Sequence, residues 1–424
     1  MQRPYADNTP VLTAVQSILA EVKDGGDRAV KELTQKFAGV GLETLAVLPE
    51  ELNAAGDALP QELKTAIQQA KQNIETFHQA QIAKAVIIET MPGVQCWRKA
   101  VGIDKVGLYI PGGTAPLFST VLMLAIPAKL AGCREVVLCS PCDKEGRLHP
   151  AILYAAQLTG ITKIFKIGGA QAIAAMAYGT ESIPAVYKIF GPGNQYVTAA
   201  KQLVQMQGIA IDMPAGPSEV CVLADETANP EFVAADLLSQ AEHGVDSQVL
   251  LVSTEAAVIE NVQQELEKQL AQLPRREMAE KALANSKAIV VENRNDAVDL
   301  VNAYAAEHLI ISCADADSLA EEITNAGSVF IGNYSPESVG DYASGTNHTL
   351  PTNGFARAYS GVSLDSFVKK ITYQKLTAEG LQNIADTVVQ MAEAEGLDAH
   401  ANAVRVRAAP LPPKGGLAET QSHS

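Results

Sequence analysis

The strongest constraint on the fold is a regular alternation of apolar, strand-like runs and helical stretches between residues 106 and 332. Strands are predicted at 106–110, 135–139, 163–167, 185–190 and 209–213, and again, after a Pro/Gly turn, at 219–224, 248–253, 287–292, 308–313 and 328–332. Parallel strands need such helical crossovers between them. The chain is therefore expected to be an α/β protein with two doubly wound, Rossmann-like parallel-sheet domains.

The segments outside this alternation set the remaining boundaries. The N-terminal segment, 10–92, is predicted to be helical, with a long helix from Gln61 to Glu89. A helical C-terminal tail, in which Thr377 caps the first helix, is expected to pack on a partner subunit. We predict a discontinuous α/β domain of residues 1–108 and 219–362, an α/β domain of residues 109–218, a helical dimerisation tail of residues 363–408, and a disordered tail of residues 409–424.

Charge and composition exclude several classes of function. The 424 residues carry a formal net charge of −16, which argues against nucleic acid and anionic membranes as partners, since both need clustered Lys and Arg. No stretch of about 18 residues is apolar enough to predict a transmembrane helix. The N-terminal residues MQRPYADNTP contain no apolar signal core. A soluble, cytoplasmic protein is expected.

Six cysteines are scattered along the chain, and buried, reduced thiols are their expected state. Cys139 and Cys142 form a C-x-x-C pair that is compatible with redox chemistry or half of a zinc site. No second pair and no H-x-x-x-H motif completes such a site, which favours two loop cysteines. Cys221 is predicted to be buried in its strand.

The stretch 208–244 holds the first candidate metal ligands. Asn229 and the following proline start a helix, and Gln240 and His243, three residues apart near its end, share one face. An amide oxygen and an imidazole that converge at a helix end are suited to a divalent metal. A polar helix end without a ligand is the alternative for this stretch alone.

Glu307 and His308 lie where a predicted helix gives way to a strand. An imidazole that titrates near neutrality, next to a carboxylate, suits a general-base pair. A helix-terminal histidine favoured by the helix dipole is the alternative.

A polar, glycine-spaced loop at 338–348 follows another predicted strand, a position where sites commonly form. In it, Asp341 offers an anionic ligand and His348 a neutral donor. His400 also lies in a polar setting. Two of the histidines in such settings, together with Gln240 and Asp341, would give a four-ligand site of nitrogen and oxygen donors.

The other histidines are given no role. His78, in a polar helix, and His149, before a proline, are predicted to be surface residues, and His423 lies in the predicted disordered tail. No thiolate lies near the candidate ligands, which favours a functional zinc over a structural one.

The nucleotide-binding signals are weak individually. No G-x-G-x-x-G motif follows a strand, although Gly191 and Gly193 supply the first two glycines of one. Gly169 opens a helix, and the free backbone amides at the amino end of a helix are suited to binding an anion. Gln171 and Asn194 add polar side chains at strand ends, where open α/β sheets bind ligands. Ordinary tight strand-to-helix turns explain the same residues.

Together, these segments resemble the histidinol dehydrogenase family. The resemblance covers about residues 5–408 and rests on five blocks in order: IDMPAGPSE from Ile211, LLSQAEHG from Leu237, AEH from Ala306, GDYASGTNH from Gly340 and EGLDAH from Glu395.

The resemblance implies a zinc-dependent oxidation of L-histidinol to L-histidine through L-histidinaldehyde, which consumes two NAD and one water and completes histidine biosynthesis. It implies one zinc per subunit, with Gln240, His243, Asp341 and His400 as ligands. The family is homodimeric, and Glu395 and His400 come from the partner subunit. The metal ligands would also contact the substrate, together with Ser218, His308, His348 and Glu395, and the NAD contacts would be Tyr109, Gln171 and Asn194.

The implied catalytic roles suit the residue types. Oxidation of an alcohol needs a base for the hydroxyl proton while hydride leaves, and His308 suits that role. Oxidation of the aldehyde needs an attacking water, which Glu307 can deprotonate with His308 assisting. No cysteine lies in the blocks that contain the ligands and the base. We therefore predict no covalent intermediate on a thiol.

Three other functions are compatible with parts of the pattern. A zinc hydrolase would use the same ligands and Glu307 without NAD. A non-catalytic metal- or imidazole-binding protein would have no use for the adjacent Glu307 and His308. A cysteine-dependent aldehyde dehydrogenase would be sensitive to substitution of a single cysteine.

Overall fold

A computed structural model describes residue 3 and the ranges 9–112 and 116–408. The chain divides into two compact units. Unit 1 consists of Met1–Ile82 and Gly102–Val368, and unit 2 consists of Ala83–Val101 and Lys369–Ser424. The predicted disordered tail, with His423, lies outside the described residues. None of the described helices is long and apolar enough to cross a membrane.

The N-terminal part contains α1 (Thr9–Ala38), α2 (Pro49–Ala54), α3 (Gln61–Gln79), β1 (Ile88–Met91) and β2 (Val94–Gly102). His78 is fully buried in α3, and its Nδ1 lies 2.9 Å from the carbonyl oxygen of Ile74. The prediction of a surface residue was wrong, because His78 continues the apolar face formed by Ile67, Ala70 and Ile74 at helical spacing. His149 is exposed, as predicted.

Unit 1 contains two five-stranded sheets. The first is built from β3 (Lys105–Tyr109), β4 (Glu135–Cys139), β5 (Lys163–Phe165), β6 (Lys188–Phe190) and β7 (Ala210–Ile211), with the intervening helices α4 (Phe118–Leu130), α5 (Pro150–Thr159), α6 (Gly169–Tyr178) and α7 (Gln195–Gln205). Its order is β5-β4-β3-β6-β7, and every neighbouring pair is parallel.

The second sheet repeats this arrangement. It contains β8 (Glu219–Ala224), β9 (Gln248–Ser253), β10 (Lys287–Val290), β11 (His308–Ser312) and β12 (Ser328–Ile331), with helices α8 (Pro230–Ala241), α9 (Ala256–Leu270), α10 (Arg276–Ala284), α11 (Arg294–Tyr304) and α12 (Ala316–Ala320). Its order is β10-β9-β8-β11-β12, again with parallel neighbours. If the strands of each sheet are numbered by their order in the chain, they lie side by side as third, second, first, fourth and fifth. This order confirms the predicted doubly wound α/β fold.

Apolar side chains on both faces of each sheet explain the two-sided helical cover. In β8, Val220 and Val222 contribute to one buried cluster, whereas Cys221 and Leu223 contribute to another. The β3 residues Val106 and Leu108 likewise belong to one cluster of the first sheet, whose second cluster lies on the opposite face. Strands that are buried on both faces read as continuous apolar runs, which is the pattern that predicted them.

The N-terminal helices pack on the helical layers of the first sheet. α1 contacts α6 and α7, and α3 contacts α4. The predicted boundary between residues 218 and 219 falls between β7 and β8, whereas the predicted grouping of residues 1–108 with 219–362 stays a prediction.

Unit 2 contains β1, most of β2, β13 (Val368–Leu376), α14 (Ala378–Ala394) and α15 (Asp398–Ala408). The strands form a small sheet in the order β1-β2-β13, with the rings of Trp97 and Tyr373 stacked at 5.3 Å. This sheet contradicts the predicted helix up to Glu89 and the predicted wholly helical segment 363–408. β2 and β13 are far apart in the chain, and only their tertiary pairing favours an extended backbone there.

The strand ends at the two switch points differ. In the first sheet, Gly191 follows β6, and its amide donates to Asp212 Oδ2 at 2.8 Å. In the second sheet, Asp225 follows β8 and accepts from the amides of Thr227 at 2.9 Å and of Ala314 at 2.8 Å. The Asp225 carboxylate therefore bridges the loops that follow β8 and β11.

Replacing Gly191 by alanine should lower the free energy of unfolding by about 3 kcal/mol or more. Gly191 has φ +122°, and an added Cβ would clash with the carbonyl oxygen of Tyr109. Gly160→Ala is the matched control, because Gly160 also has positive φ but no atom lies within 4 Å of its added Cβ. That variant should lose only about 1 kcal/mol. Urea denaturation followed by circular dichroism measures both, and equal losses would contradict the proposed clash.

Candidate functional site

The candidate site lies at the amino-terminal edge of the second sheet. Glu219 is the first residue of β8, and His308 is the first residue of β11, paired in register with Val220. In a βαβ unit the helix runs back against the strand direction, so the last turn of α8, which carries Gln240, comes to the same edge. The fold thus brings together residues that are far apart in the sequence.

Glu307 and His308 are buried and held by polar groups. The amide of Glu219 donates to Glu307 Oε2 at 2.9 Å. His308 Nδ1 lies 3.3 Å from the carbonyl oxygen of Glu219, and its Nε2 lies 3.2 Å from Asp341 Oδ1. A carbonyl and a carboxylate only accept hydrogen bonds. Both ring nitrogens of His308 therefore face hydrogen-bond acceptors, an arrangement that favours the protonated ring.

The pKa shifts follow from this arrangement. Burial alone would lower the pKa of His308, but the Glu307 and Asp341 carboxylates outweigh burial and raise it. Burial raises the pKa of Glu307, against the opposing charge of His308. Burial also acts to raise the pKa of Asp341, yet the hydrogen bond and charge of His308 lower it overall. Asp341 is thus kept as an anion beside an imidazolium.

Gln240 is almost fully buried, with 1% of its surface exposed. We assign its amide oxygen to the side facing the Glu219 amide, at 3.2 Å, and its nitrogen to the side facing Glu337 Oε1, at 3.3 Å. The reverse orientation would set donor against donor and acceptor against acceptor. His243 follows in the turn after α8, and its side chain is exposed.

The loop that carries Asp341 and His348 folds back on itself. Asp341 lies on the short helix α13 (Glu337–Tyr342). His348 Nδ1 lies 2.8 Å from the carbonyl oxygen of Asp341. Burial lowers the pKa of His348, so its ring is neutral at neutral pH. The structure therefore brings Gln240, His308, Asp341 and His348 to one place, as the sequence analysis expected of a site.

Two buried carboxyl groups next to this cluster were missed by the sequence analysis. Glu337 is 1% exposed, it accepts from Ser239 Oγ at 2.5 Å, and its Oε2 has no hydrogen-bond partner among the described residues. Asp236 lies one turn before Gln240 on α8, and burial raises its pKa to about 7. Helical spacing was the signal that could have indicated both carboxyl groups. Glu337 precedes Asp341 by four residues, and Asp236 precedes Gln240 by four, so each would share a helix face with a predicted ligand.

The predicted NAD contacts lie at the carboxyl edge of the first sheet. Tyr109 ends β3, and its buried hydroxyl accepts from the Gly169 amide at 3.1 Å. Gln171 is buried in the first turn of α6. Asn194 caps α7, where its side-chain oxygen accepts from the amides of Tyr196 and Val197. These local contacts hold Tyr109 and Asn194 in place, and a role of the three residues in binding NAD stays a prediction.

The remaining predicted site residues are more exposed. Ser218, half-buried, directly precedes β8, and its carbonyl oxygen accepts from the Gln248 amide at 3.1 Å. Glu395, at the end of α14, and His400, in α15, are exposed residues of unit 2. The roles of these side chains stay predictions.

Among the described residues, no group of three or more His, Cys, Asp and Glu side chains is arranged to hold a metal ion. Of the four predicted ligands, only His243 and Asp341 are side chains of these four types that belong to unit 1. Gln240 is an amide, and His400 belongs to unit 2.

All six cysteines are free, but only Cys139 and Cys221 are buried, so the prediction of buried thiols holds for these two and not for the four half-buried ones. Cys221 is fully buried in β8, which confirms the prediction, and burial raises the pKa of its thiol. Cys139 is also fully buried, and Cys142 is half-buried. Both cysteines of the C-x-x-C pair are free in the structure.

Comparison with known proteins gives one consistent family. The family model described as histidinol dehydrogenase matches residues 1–408. A histidinol dehydrogenase of Bacteroides fragilis is 62% identical over 407 residues, which cover 96% of this chain and 95% of the relative. One from Vibrio parahaemolyticus is 54% identical, with coverage of 96% and 94%. The crystal structure of histidinol dehydrogenase from Elizabethkingia anophelis has a TM-score of 0.94 at 55% identity, over 96% of this chain and 94% of that chain.

Asp236 should make the protein less stable as the pH rises. Its folded-state pKa is raised to about 7, so its stabilising contribution is complete below the unfolded-state pKa and is lost as the pH rises through the folded-state value. Between about pH 5 and about pH 8, wild-type protein should lose on the order of 2 kcal/mol more unfolding free energy than Asp236→Asn. Denaturant titrations of metal-free protein measure this, with the exposed Asp299→Asn as control. Parallel pH profiles for wild type and Asp236→Asn would refute the assignment.

Proposed function

This chain belongs to the histidinol dehydrogenase family, and from that premise we propose that it oxidises L-histidinol to L-histidine through L-histidinaldehyde. Four electrons leave as two hydrides, to two NAD, and one water supplies the second carboxylate oxygen. The observation that supports this proposal most directly is the buried Glu307–His308 pair beside Gln240 and Asp341.

His308 is proposed as the base of the alcohol step. Its Nε2 lies 3.2 Å from Asp341 Oδ1, and the neighbouring carboxylates raise the pKa of the ring. A metal held by Asp341 would draw negative charge from that carboxylate, which would leave the neutral imidazole available as a base. The hydroxyl proton then passes to Nε2 while hydride leaves the adjacent carbon for nicotinamide.

Glu307 is proposed as the base of the aldehyde step. Its carboxylate is buried, which raises its pKa and makes it a stronger proton acceptor than an exposed glutamate. The Glu219 amide holds Oε2 in place at 2.9 Å. Removal of a proton from water by Glu307 gives the nucleophile that adds to the aldehyde, and the hydrated carbon then loses the second hydride.

The donor types of the predicted ligands suit zinc, and we propose one zinc ion per subunit. Gln240 and His243 offer neutral oxygen and nitrogen donors, and Asp341 offers a carboxylate that its surroundings keep ionised. We propose these three as ligands, with His400 of the partner subunit as the fourth. When bound, the metal would hold the imidazole and amine of the substrate. Ser218, His348 and Glu395 of the partner subunit are proposed as further substrate contacts.

The carboxyl edge of the first sheet fits NAD. Ligands of doubly wound sheets bind at the switch point, which here lies between β3 and β6. Tyr109 ends one of these strands, Gly191 follows the other, and the amino end of α6 carries Gln171. A helix amino end favours an anionic group such as a pyrophosphate. We propose Tyr109, Gln171 and Asn194 as NAD contacts.

We propose a homodimer in which the helices of unit 2 complete the partner's site. The exposed positions of Glu395 and His400 agree with that role. L-histidinol is the proposed substrate, no nucleic acid or membrane partner is proposed, and a cytoplasmic location stays a prediction.

Substitution of the two proposed bases should separate the half-reactions. His308→Asn should slow NADH formation from both L-histidinol and L-histidinaldehyde by about 100-fold or more. Glu307→Gln should slow the aldehyde reaction by a similar factor and affect the alcohol reaction much less, since only the second step needs an activated water. Stopped-flow absorbance at nicotinamide wavelengths measures both reactions. Glu260→Gln, on the exposed face of α9, is the control.

Equal losses with both substrates in Glu307→Gln would contradict the separate roles. Wild-type protein should form two NADH per L-histidinol, lose activity on chelation and regain it with zinc. No NADH from the metal-loaded protein would overturn the proposed function, and a binding protein would then explain the site better. If NADH formation survived chelation, the proposed dehydrogenase activity would stand, but the proposed four-ligand zinc site would be refuted.

Mixing two inactive variants should test the shared site. Gln240→Ala and His400→Ala should each form inactive homodimers. In a mixed dimer, one site receives intact Gln240 from its own chain and intact His400 from the partner, so that refolding the two together should restore part of the activity. If His400 acted within its own chain, every site in the mixture would lack one ligand. Failure of the mixture to regain NADH formation, with mixed dimers verified by mass, would then exclude the partner arrangement.

A further inference from the structure

The ring of His348 is held at both nitrogens by groups of this chain. Nδ1 lies 2.8 Å from the carbonyl oxygen of Asp341, and Nε2 lies 3.0 Å from Thr120 Oγ1. Because a carbonyl oxygen only accepts, Nδ1 must carry the proton. In the neutral ring, Nε2 is then an acceptor, and the Thr120 hydroxyl donates to it. The carbonyl of Asp341 therefore selects the tautomer, and the Thr120 hydroxyl, which can donate or accept, holds the orientation of the ring.

The hydroxyl of Thr120 behaves unlike those of three other helical threonines. Thr34, Thr65 and Thr159 each donate to the carbonyl oxygen four residues earlier, which is the usual local partner of a helical threonine. Thr120 lies in the first turn of α4, is 1% exposed, and bonds to a side chain 228 positions away. A buried hydroxyl directed out of its own helix points to a role beyond local structure.

Further contacts fix the loop of His348 against the helices of the first sheet. Asn347 Nδ2 donates to the carbonyl oxygen of Met123 at 2.6 Å, one turn along α4 from Thr120. Asn73 Nδ2, from α3, donates to the carbonyl oxygen of Ala343 at 2.8 Å. The loop is thus anchored at Ala343 and at Asn347. The Thr120 contact differs from these two because it reaches a side chain of the proposed site, His348.

The contact at Thr120 leads by direct hydrogen bonds to the proposed base. Thr120 donates to His348, His348 donates to the backbone of Asp341, and Asp341 Oδ1 faces His308 Nε2 at 3.2 Å. We propose that Thr120 is a positioning residue, which holds the orientation of the His348 ring and thereby the backbone of Asp341 beside His308. Its catalytic consequence rests on the proposed function, whereas its effect on His348 does not.

Three substitutions separate this role from a general contribution to stability. Thr120→Val keeps the shape and removes the hydroxyl, and Thr120→Ser restores the hydroxyl. Thr34→Val is the matched control, since Thr34 is also a buried helical threonine and its hydroxyl donates to Val30 at 2.7 Å. Thr120→Val and Thr34→Val each lose one buried hydrogen bond, so their losses of thermal stability should be similar.

The first readout is nitrogen NMR of full-length, zinc-loaded protein labelled with 15N-histidine, with the His348 signals assigned by their loss in His348→Gln. Wild type should show a protonated Nδ1 and an unprotonated Nε2 that accepts a hydrogen bond. In Thr120→Val the Nε2 resonance should shift or split, whereas Thr120→Ser and Thr34→Val should retain the wild-type signals. Wild-type His348 signals in Thr120→Val, or a protonated Nε2 in wild type, would overturn the proposal.

The second readout is NADH formation from L-histidinol. Thr120→Val should lower kcat by about tenfold, as expected for one lost hydrogen bond in a buried site, Thr120→Ser should recover most of it, and Thr34→Val should leave it unchanged. An equal loss of kcat in Thr34→Val would reduce Thr120 to a stabilising residue and overturn the proposal. If wild-type protein formed no NADH, the proposed function would fail, and the NMR comparison would still decide the role of Thr120.

Discussion

The burial of the His308 ring among hydrogen-bond acceptors is the constraint on which the rest of the site depends. The ring lies among Glu307, Asp341 and the carbonyl oxygen of Glu219, and a polar ring so far from water is stable only with such partners. The Glu219 side chain is in turn paired with Arg3, whose Nε lies 2.5 Å from it. These contacts hold the two proposed bases in one geometry.

The two sheets share one strand order but present their working side chains at opposite edges. In the second sheet, Glu219 and His308 begin their strands, whereas Tyr109 ends its strand in the first. The first turn of α4 lies at the carboxyl edge of the first sheet, because the helix follows β3 and runs back along it. Through Thr120, that turn bonds to the loop of Asp341. Helix α4 is therefore the physical link between the proposed cofactor edge and the proposed substrate site.

The sequence predicted the parts of the fold that local patterns encode. Strands such as β8 are apolar on both faces, and the regular alternation of such runs with helices indicated every strand of the two parallel sheets. The roles of Gln240 and Asp341 as site residues stay predictions. The small sheet of β1, β2 and β13 was missed because only distant pairing fixes it. Glu337 was missed because the sequence shows a glutamate but not its burial. The contact between Thr120 and His348 depends on the packing of two distant segments, which periodicity does not describe.

The placement of the proposed NAD contacts has a consequence for the order of events in turnover. Tyr109, Gln171 and Asn194 all lie at the carboxyl edge of the first sheet. Because the proposed reaction reduces two NAD at this one proposed set of contacts, the first NADH must leave and a fresh NAD must bind before the second hydride can leave. The aldehyde must wait in place through that exchange. Retention of a reactive intermediate, rather than the speed of either hydride transfer, then becomes the principal demand on the enzyme.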